Sequence, residues 1–217
     1  MKITTAPVFD KKFWFDENLR YSQPHFRLIK CANILKALSK GKTRELLDVG
    51  CGPATLAKLL PENFQYYGID LAIHEKSPYL KEADILNRPI EFGDKKFDFI
   101  VASGVFEYMG EQQHQKFSEI KNILKPAGKF ITTFINIHHR HPLHAFHMYN
   151  NIIPIHEFLR DLMTVFHVDR YFPTSYNWYG SEPRKKYVVA LNLHMDLNIP
   201  LIGPWLAVEY IFICSAK

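Results

Sequence analysis

Two carboxylates and a pair of glycines carry the first chemical signal in this chain. Glu45 to Thr55 is an apolar run that ends in the turn Gly50-Cys51-Gly52-Pro53, with Asp48 just ahead of it; Tyr66 to Asp70 is a second apolar run ending in a carboxylate. Gly50 and Gly52 let the backbone turn tightly and approach a ligand where a side chain would collide with it. Asp70 lies 18 residues beyond Gly52, close to the roughly 20 at which an acidic side chain meets ribose hydroxyls. This is the chemistry of a nucleoside site.

What is missing selects the nucleoside. A dinucleotide fingerprint requires a third glycine where this chain has Thr55, and Pro53 removes an N–H that a pyrophosphate would use. NAD and FAD are therefore disfavoured. Asp48 is a poor neighbour for a pyrophosphate but a natural one for an ammonium or a sulfonium, and S-adenosylmethionine carries both.

From Glu45 to Asn136 the sequence resembles the class I S-adenosylmethionine-dependent methyltransferases of small-molecule type. Leu47-Asp48-Val49-Gly50-Cys51-Gly52-Pro53 resembles the family's first motif, Asp70 its ribose acid, and Ala83-Asp84-Ile85 its adenine-side segment. Phe97 to Tyr108 resembles the fourth motif, and Leu124-Lys125-Pro126-Ala127-Gly128 the turn after the following helix. Ala54 stands where a third glycine is common, and Tyr108 where many relatives have histidine. The resemblance implies S-adenosylmethionine as cofactor and S-adenosylhomocysteine as product. Asp48 would lie near the methionine amino group, and Gly50, Cys51 and Gly52 along the methionine moiety. Asp70 and Leu71 would sit at the ribose, Asp84 and Ile85 at adenine, Ser103 and Gly104 at the end of strand four, and Tyr21 over the cofactor.

Methyl transfer is an in-line displacement, so alignment and exclusion of water are the protein's main tasks. A hydroxyl acceptor also benefits from a general base. The histidine-rich segment Ile137 to His147 follows strand five, and His139 and His141 are the candidate bases. Phe106, Tyr108, Tyr176 and Trp178 are the candidate acceptor contacts, and the apolar stretch Leu197 to Ile202 favours a partly apolar small molecule. No metal is expected, since Ala102-Ser103-Gly104 offers no acidic ligand at the end of strand four. Nucleic acid is disfavoured as an acceptor, because Ser103-Gly104-Val105-Phe106 is not the Asn/Asp-Pro-Pro-aromatic sequence used on exocyclic base amines. RNA methylation elsewhere and a non-catalytic methyltransferase fold are the alternatives.

The elements that must hold these residues alternate. Strands are expected at Arg44–Val49, Gln65–Ile69, Tyr79–Ile85, Phe97–Ala102 and Lys129–Ile135, then near Val168–Trp178 and Leu206–Ser215. Helices are expected at Gln23–Leu38, Ala54–Leu60, Glu111–Leu124 and His156–Phe166. The fold class is α/β: a Rossmann-like seven-stranded mixed sheet, mostly parallel, with an antiparallel edge hairpin and helices on both faces. One domain spans 1–217, with an N-terminal helical segment or lid at 1–40, a cofactor-binding core at 44–136, and a substrate-side segment with the edge strands at 137–217. With 217 residues and 47% hydrophobic content the chain can bury a full core. The net charge of +5 is scattered and reads as a solvated surface. Cys31, Cys51 and Cys214 have neither disulfide nor zinc spacing, the N-terminus lacks a secretory pattern, and prolines interrupt the apolar C-terminal stretch. A cytoplasmic protein without a transmembrane segment is expected, and its oligomeric state is open.

Overall fold

A computed structural model of the chain describes residues 11–136, 153–176 and 206–217. Seven strands form one sheet: β1 (Arg44–Val49), β2 (Phe64–Asp70), β3 (Leu80–Glu82), β4 (Phe97–Ala102), β5 (Leu124–Ile135), β6 (Phe166–Pro173) and β7 (Glu209–Ala216). Their order is β3-β2-β1-β4-β5-β7-β6. The first five strands run parallel, while β7 is antiparallel to both β5 and β6. This is the Rossmann-like mixed sheet with its antiparallel edge pair. From β1 the chain winds outward through β2 and β3, then returns to the other side of β1 as β4. The reversal opens a crevice at the carboxyl ends of β1 and β4, where open α/β sheets bind ligands.

Among the described residues four α-helices accompany the sheet: α1 (Lys11–Asn18), α2 (Phe26–Ser39), α3 (Gln113–Ile123) and α4 (Ile155–Val165). Alternation along each strand sends neighbouring residues to opposite faces, and both faces are apolar because both are covered. Leu47, Ile100, Phe130 and Phe212 pack with Phe117 and Ile120 of α3 and Phe158 and Leu162 of α4. Leu46, Phe99, Ile131 and Ile211 pack with Cys31 and Leu35 of α2. Each large apolar side chain buried this way contributes about 1.5–3 kcal/mol, which fixes the strand ends that carry the site.

Several boundaries differ from the sequence expectation. No helix forms over Ala54–Leu60; only a 3-10 turn, Ala57–Leu59, is present. Ala54 takes a left-handed φ of 53°, and the few residues left before Pro61 are too few to offset helix nucleation. β3 stops at Glu82 because Asp84 turns the chain, its Oδ1 accepting the Leu86 and Asn87 N–H groups. β5 begins at Leu124, ahead of the expected Lys129. α3 starts at Gln113, after a separate 3-10 turn at Gly110–Gln112.

Candidate active site

The site begins with the β1 turn. Gly50 has a φ of +73°, and a Cβ there would lie 2.4 Å from Cγ2 of Val105, so any side chain at this position is strained. Its N–H and that of Cys51 both donate to the Ile69 carbonyl, at 2.8 and 3.2 Å, which ties the turn to the end of β2. Asp70 completes the link: its Oδ2 accepts the Gly52 N–H at 2.8 Å and its Oδ1 accepts the Ala72 N–H at 3.0 Å. The side chain that sequence reasoning assigns to ribose therefore also shapes the glycine turn.

Asp48 is almost fully buried, with its Oδ2 accepting the Tyr66 hydroxyl at 2.7 Å. Burial pushes its carboxyl up to about 7; the Tyr66 bond pulls it back and the nearby Asp70 charge adds to the rise. A cation arriving beside it would restore the ionised form. Burial likewise raises the Cys51 thiol well above its ordinary range, aided by Asp48 and Asp70, so Cys51 is a wall of the cleft rather than a nucleophile.

All eleven residues expected at the cofactor line one cleft: Tyr21, Asp48, Gly50, Cys51, Gly52, Asp70, Leu71, Asp84, Ile85, Ser103 and Gly104. The Asp84 carboxylate is engaged in its own turn, with Oδ2 accepting the Asn87 amide at 2.7 Å. Tyr21 is held by its carbonyl, which accepts the Thr55 hydroxyl at 2.6 Å. Tyr108, an expected acceptor contact, lines the same cleft and meets Trp14 of α1 edge-on, with ring centroids 5.0 Å apart. Phe15, next to Trp14, stacks on His74 beyond β2 at 4.2 Å. These two contacts anchor α1, and through Trp14 the helix contributes to the cleft wall.

Other expected residues sit elsewhere. Phe106 is fully buried against Phe117, Phe130 and Phe158, so it belongs to the core and does not face the cleft. Tyr176 is also buried, bridged to Ala207 and packed in the same core. Both are aromatic residues at strand ends, where sequence does not separate core from pocket. His139, His141 and Trp178 lie outside the described residues. Among the described residues no cluster of His, Cys, Asp and Glu suited to a metal ion occurs, and no helix is long and apolar enough to cross a membrane.

Sequence reasoning missed Trp14, Arg27, Leu28 and Met109, which also line the cleft. Trp14 belongs to a conspicuous aromatic opening. Arg27 gives a fainter signal, a lone charge between Phe26 and Leu28.

Comparisons with known proteins agree with this geometry. Residues 20–179 match the family model described as "Methyltransferase domain". No curated protein sequence matches the chain. Among solved structures, an S-adenosylmethionine-dependent methyltransferase from Clostridium acetobutylicum is similar, with a TM-score of 0.57 and 13% identity, over 94% of this chain and 96% of that one. So is the Burkholderia thailandensis 1,6-didemethyltoxoflavin-N1-methyltransferase, solved with 1,6-didemethyltoxoflavin and S-adenosylhomocysteine bound: TM-score 0.59 and 13% identity, over 99% and 93% of the two chains. A Haloferax volcanii complex of the Trm112 methyltransferase activator with a putative methyltransferase matches with a TM-score of 0.62 and 15% identity, over 96% of each chain. With most of its length under the family model, a Rossmann-like sheet and a glycine-carboxylate cleft at the switch point, the chain belongs to the methyltransferase domain family and is an S-adenosylmethionine-dependent methyltransferase.

Proposed function

We propose that this methyltransferase acts on an oxygen or nitrogen of a small-molecule acceptor, in a cytoplasmic setting, with Asp48, Asp70, Asp84 and Ile85 in the cofactor roles given above. The observation that carries the reading is the continuity of the cleft. From the glycine turn and the strand-end carboxylates it runs on to Trp14, Arg27, Tyr108 and Met109, a mixed apolar and polar wall of the kind small ligands occupy. The residues present fit the cofactor. A Cβ at Gly50 would strike Val105, so glycine keeps the turn tight beside the cleft; buried Asp48 suits a cationic group, and the Asp70 carboxylate at the end of β2 is an acceptor for hydroxyl donors. When bound, the cofactor supplies an electrophilic methyl group on sulfur.

The chain's own contribution is alignment and enclosure. Asp70 and the glycine turn hold the nucleoside end, Asp48 orients the charged end, and α1 with Trp14 and Tyr108 excludes water over the reacting end. Should the acceptor be a hydroxyl, His139 and His141 are the proposed bases. The similar 1,6-didemethyltoxoflavin-N1-methyltransferase, solved with 1,6-didemethyltoxoflavin bound, supports a small acceptor here. The test is side-by-side calorimetry with S-adenosylmethionine, S-adenosylhomocysteine and NADH, followed by a mass-spectrometric screen for methylated small molecules. Binding of the first two alone, with a product 14 mass units heavier than its acceptor (about one CH2), is expected. Binding of NADH instead, or methylation of RNA and of no small molecule, would overturn the proposal.

A further inference from the structure

Beside the cofactor cleft, the same sheet edge continues over the ends of β4, β5, β7 and β6, and there the fold leaves several buried polar atoms without a hydrogen-bond partner. Glu107, 3% exposed, follows β4; its Oε1 accepts the Ile135 N–H at 3.1 Å and its Oε2 has no partner. Glu209, 5% exposed, opens β7 opposite Ile135, and its Oε1 has no partner. The hydroxyls of Ser103, after β4, and Ser175, after β6, are also buried and unpartnered. Native folds pair their buried polar groups, and a row of exceptions at one edge calls for a ligand to complete it.

Arg27 joins this row to the cleft. It lines the cleft, and its guanidinium lies 2.7–2.9 Å from where a Cβ on Gly104 would stand. Its Nη1 is 3.6 Å from Oε2 of Glu209. Among the described residues, one guanidinium thus faces two carboxylates, and negative charge is in excess. Burial and then the Glu209 charge push the Glu107 carboxyl up to about 7, against the pull of Arg27 and of backbone bonds. Groups that only accept hydrogen bonds are satisfied by a donor-rich, cationic partner, and an anionic one is repelled.

We propose that Glu107 and Glu209 form the acceptor subsite for an amine, with Glu107 receiving the proton that the nitrogen releases. The inference rests on the cofactor reading of the adjoining cleft. On transfer the acceptor nitrogen forms the new N–CH3 bond, and the S–CH3 bond breaks with its electron pair left on sulfur. The N–H proton passes to the Glu107 carboxylate, so charge and atoms balance.

The test uses two probes that differ at the reacting position. S-adenosylhomocysteine has nothing where the methyl group would be; sinefungin carries an amine there. In calorimetry the wild-type protein is expected to bind sinefungin at least about tenfold tighter, the effect of one charge-assisted hydrogen bond. Glu107→Gln and Glu209→Gln are expected to reduce that preference below about threefold while S-adenosylhomocysteine affinity holds within about twofold. Equal wild-type affinity for the two probes, or a preference unchanged in both variants, overturns the subsite and leaves the cofactor reading intact. Failure of the wild-type protein to bind S-adenosylhomocysteine overturns both. Thermal melting of the ligand-free variants adds a second arm. Unchanged or raised melting temperatures fit carboxylates kept for a ligand, and falls of more than about 5 °C in both would assign them to the fold and overturn the proposal.

Discussion

Asp48→Asn separates the cost of a buried carboxylate from its use. Asp48 moves from an ordinary value of 3.8 to about 7, a rise of about three units and so about 4 kcal/mol. Between about pH 4 and 7 the native protein holds a proton on Asp48 that the unfolded chain has released. Stability therefore falls as pH rises through this window, and the loss is complete above about pH 7. Asparagine has no such proton and keeps an amide oxygen for the Tyr66 hydroxyl. Without cofactor, the stability of Asp48→Asn relative to wild type should grow by up to about 3 kcal/mol between pH 5 and pH 8, the part of the penalty that falls in that interval. Urea denaturation of both proteins at the two pH values measures it, and the Glu107 titration common to both cancels in the difference. S-adenosylhomocysteine should reverse the order at pH 8, since its ammonium favours the charged side chain that the variant lacks. Parallel pH dependences in the two proteins would refute the account of Asp48 as a carboxylate buried at a cost for a cationic ligand.

Five further substitutions test neighbouring steps. Gly50→Ala places a Cβ 2.4 Å from Val105 at a φ of +73°. It should destabilise the fold by on the order of 1–3 kcal/mol and remove S-adenosylhomocysteine binding in calorimetry. Tyr66→Phe deletes the bond that holds Asp48 down, so the midpoint of pH-dependent S-adenosylhomocysteine binding should move up by on the order of one unit. Phe106→Ala should cost about 3–5 kcal/mol in urea denaturation yet leave cofactor affinity unchanged in the folded protein, as befits a core residue. His139→Ala and His141→Ala should lower turnover more than cofactor affinity; normal rates in both would take the histidines out of proton transfer.

The parts of the fold legible in the sequence are those with one dominant cause. β1 and β4 are continuous apolar runs and fall where periodicity puts them, at Arg44–Val49 and Phe97–Ala102. That eleven candidate residues share one cleft is legible because glycine pairs and strand-end carboxylates have few other uses together. Ala54–Leu60 misled because its composition favours helix while the backbone at Ala54, left-handed after the glycine turn, prevents one. Phe106 misled in a related way. Its place after β4 suggests the ligand edge, but the next residues turn, and its ring joins Phe117, Phe130 and Phe158. Glu107 and Glu209 lie more than a hundred residues apart and meet only because β5 and β7 pair through Ile135 and Glu209, a register that no local pattern reveals.

The two ends of the sheet treat the same side chain in opposite ways. On β1, Glu45 at the amino end bonds to Lys95 and Lys125, which hold its carboxyl below the usual range. Asp48, three residues on, has no cation among the causes acting on it from the described residues and is pushed up. On β4, burial raises Asp98, but Lys125, the Glu45 N–H and Arg44 outweigh it and bring it down; Glu107, beyond the other end, is pushed up. Paired carboxylates at the amino edge stabilise ionised groups near the surface and contribute modestly to folding. Carboxylates raised by burial at the carboxyl edge, Asp48 and Glu107, cost stability at neutral pH, a cost that a further cation would relieve. A chain selected for stability alone would have no reason to distribute its charges along two adjacent strands in this way. The asymmetry therefore supports the proposed working edge of the sheet independently of the glycine turn. It also supports the proposed extension of that edge to the ends of β5 and β7.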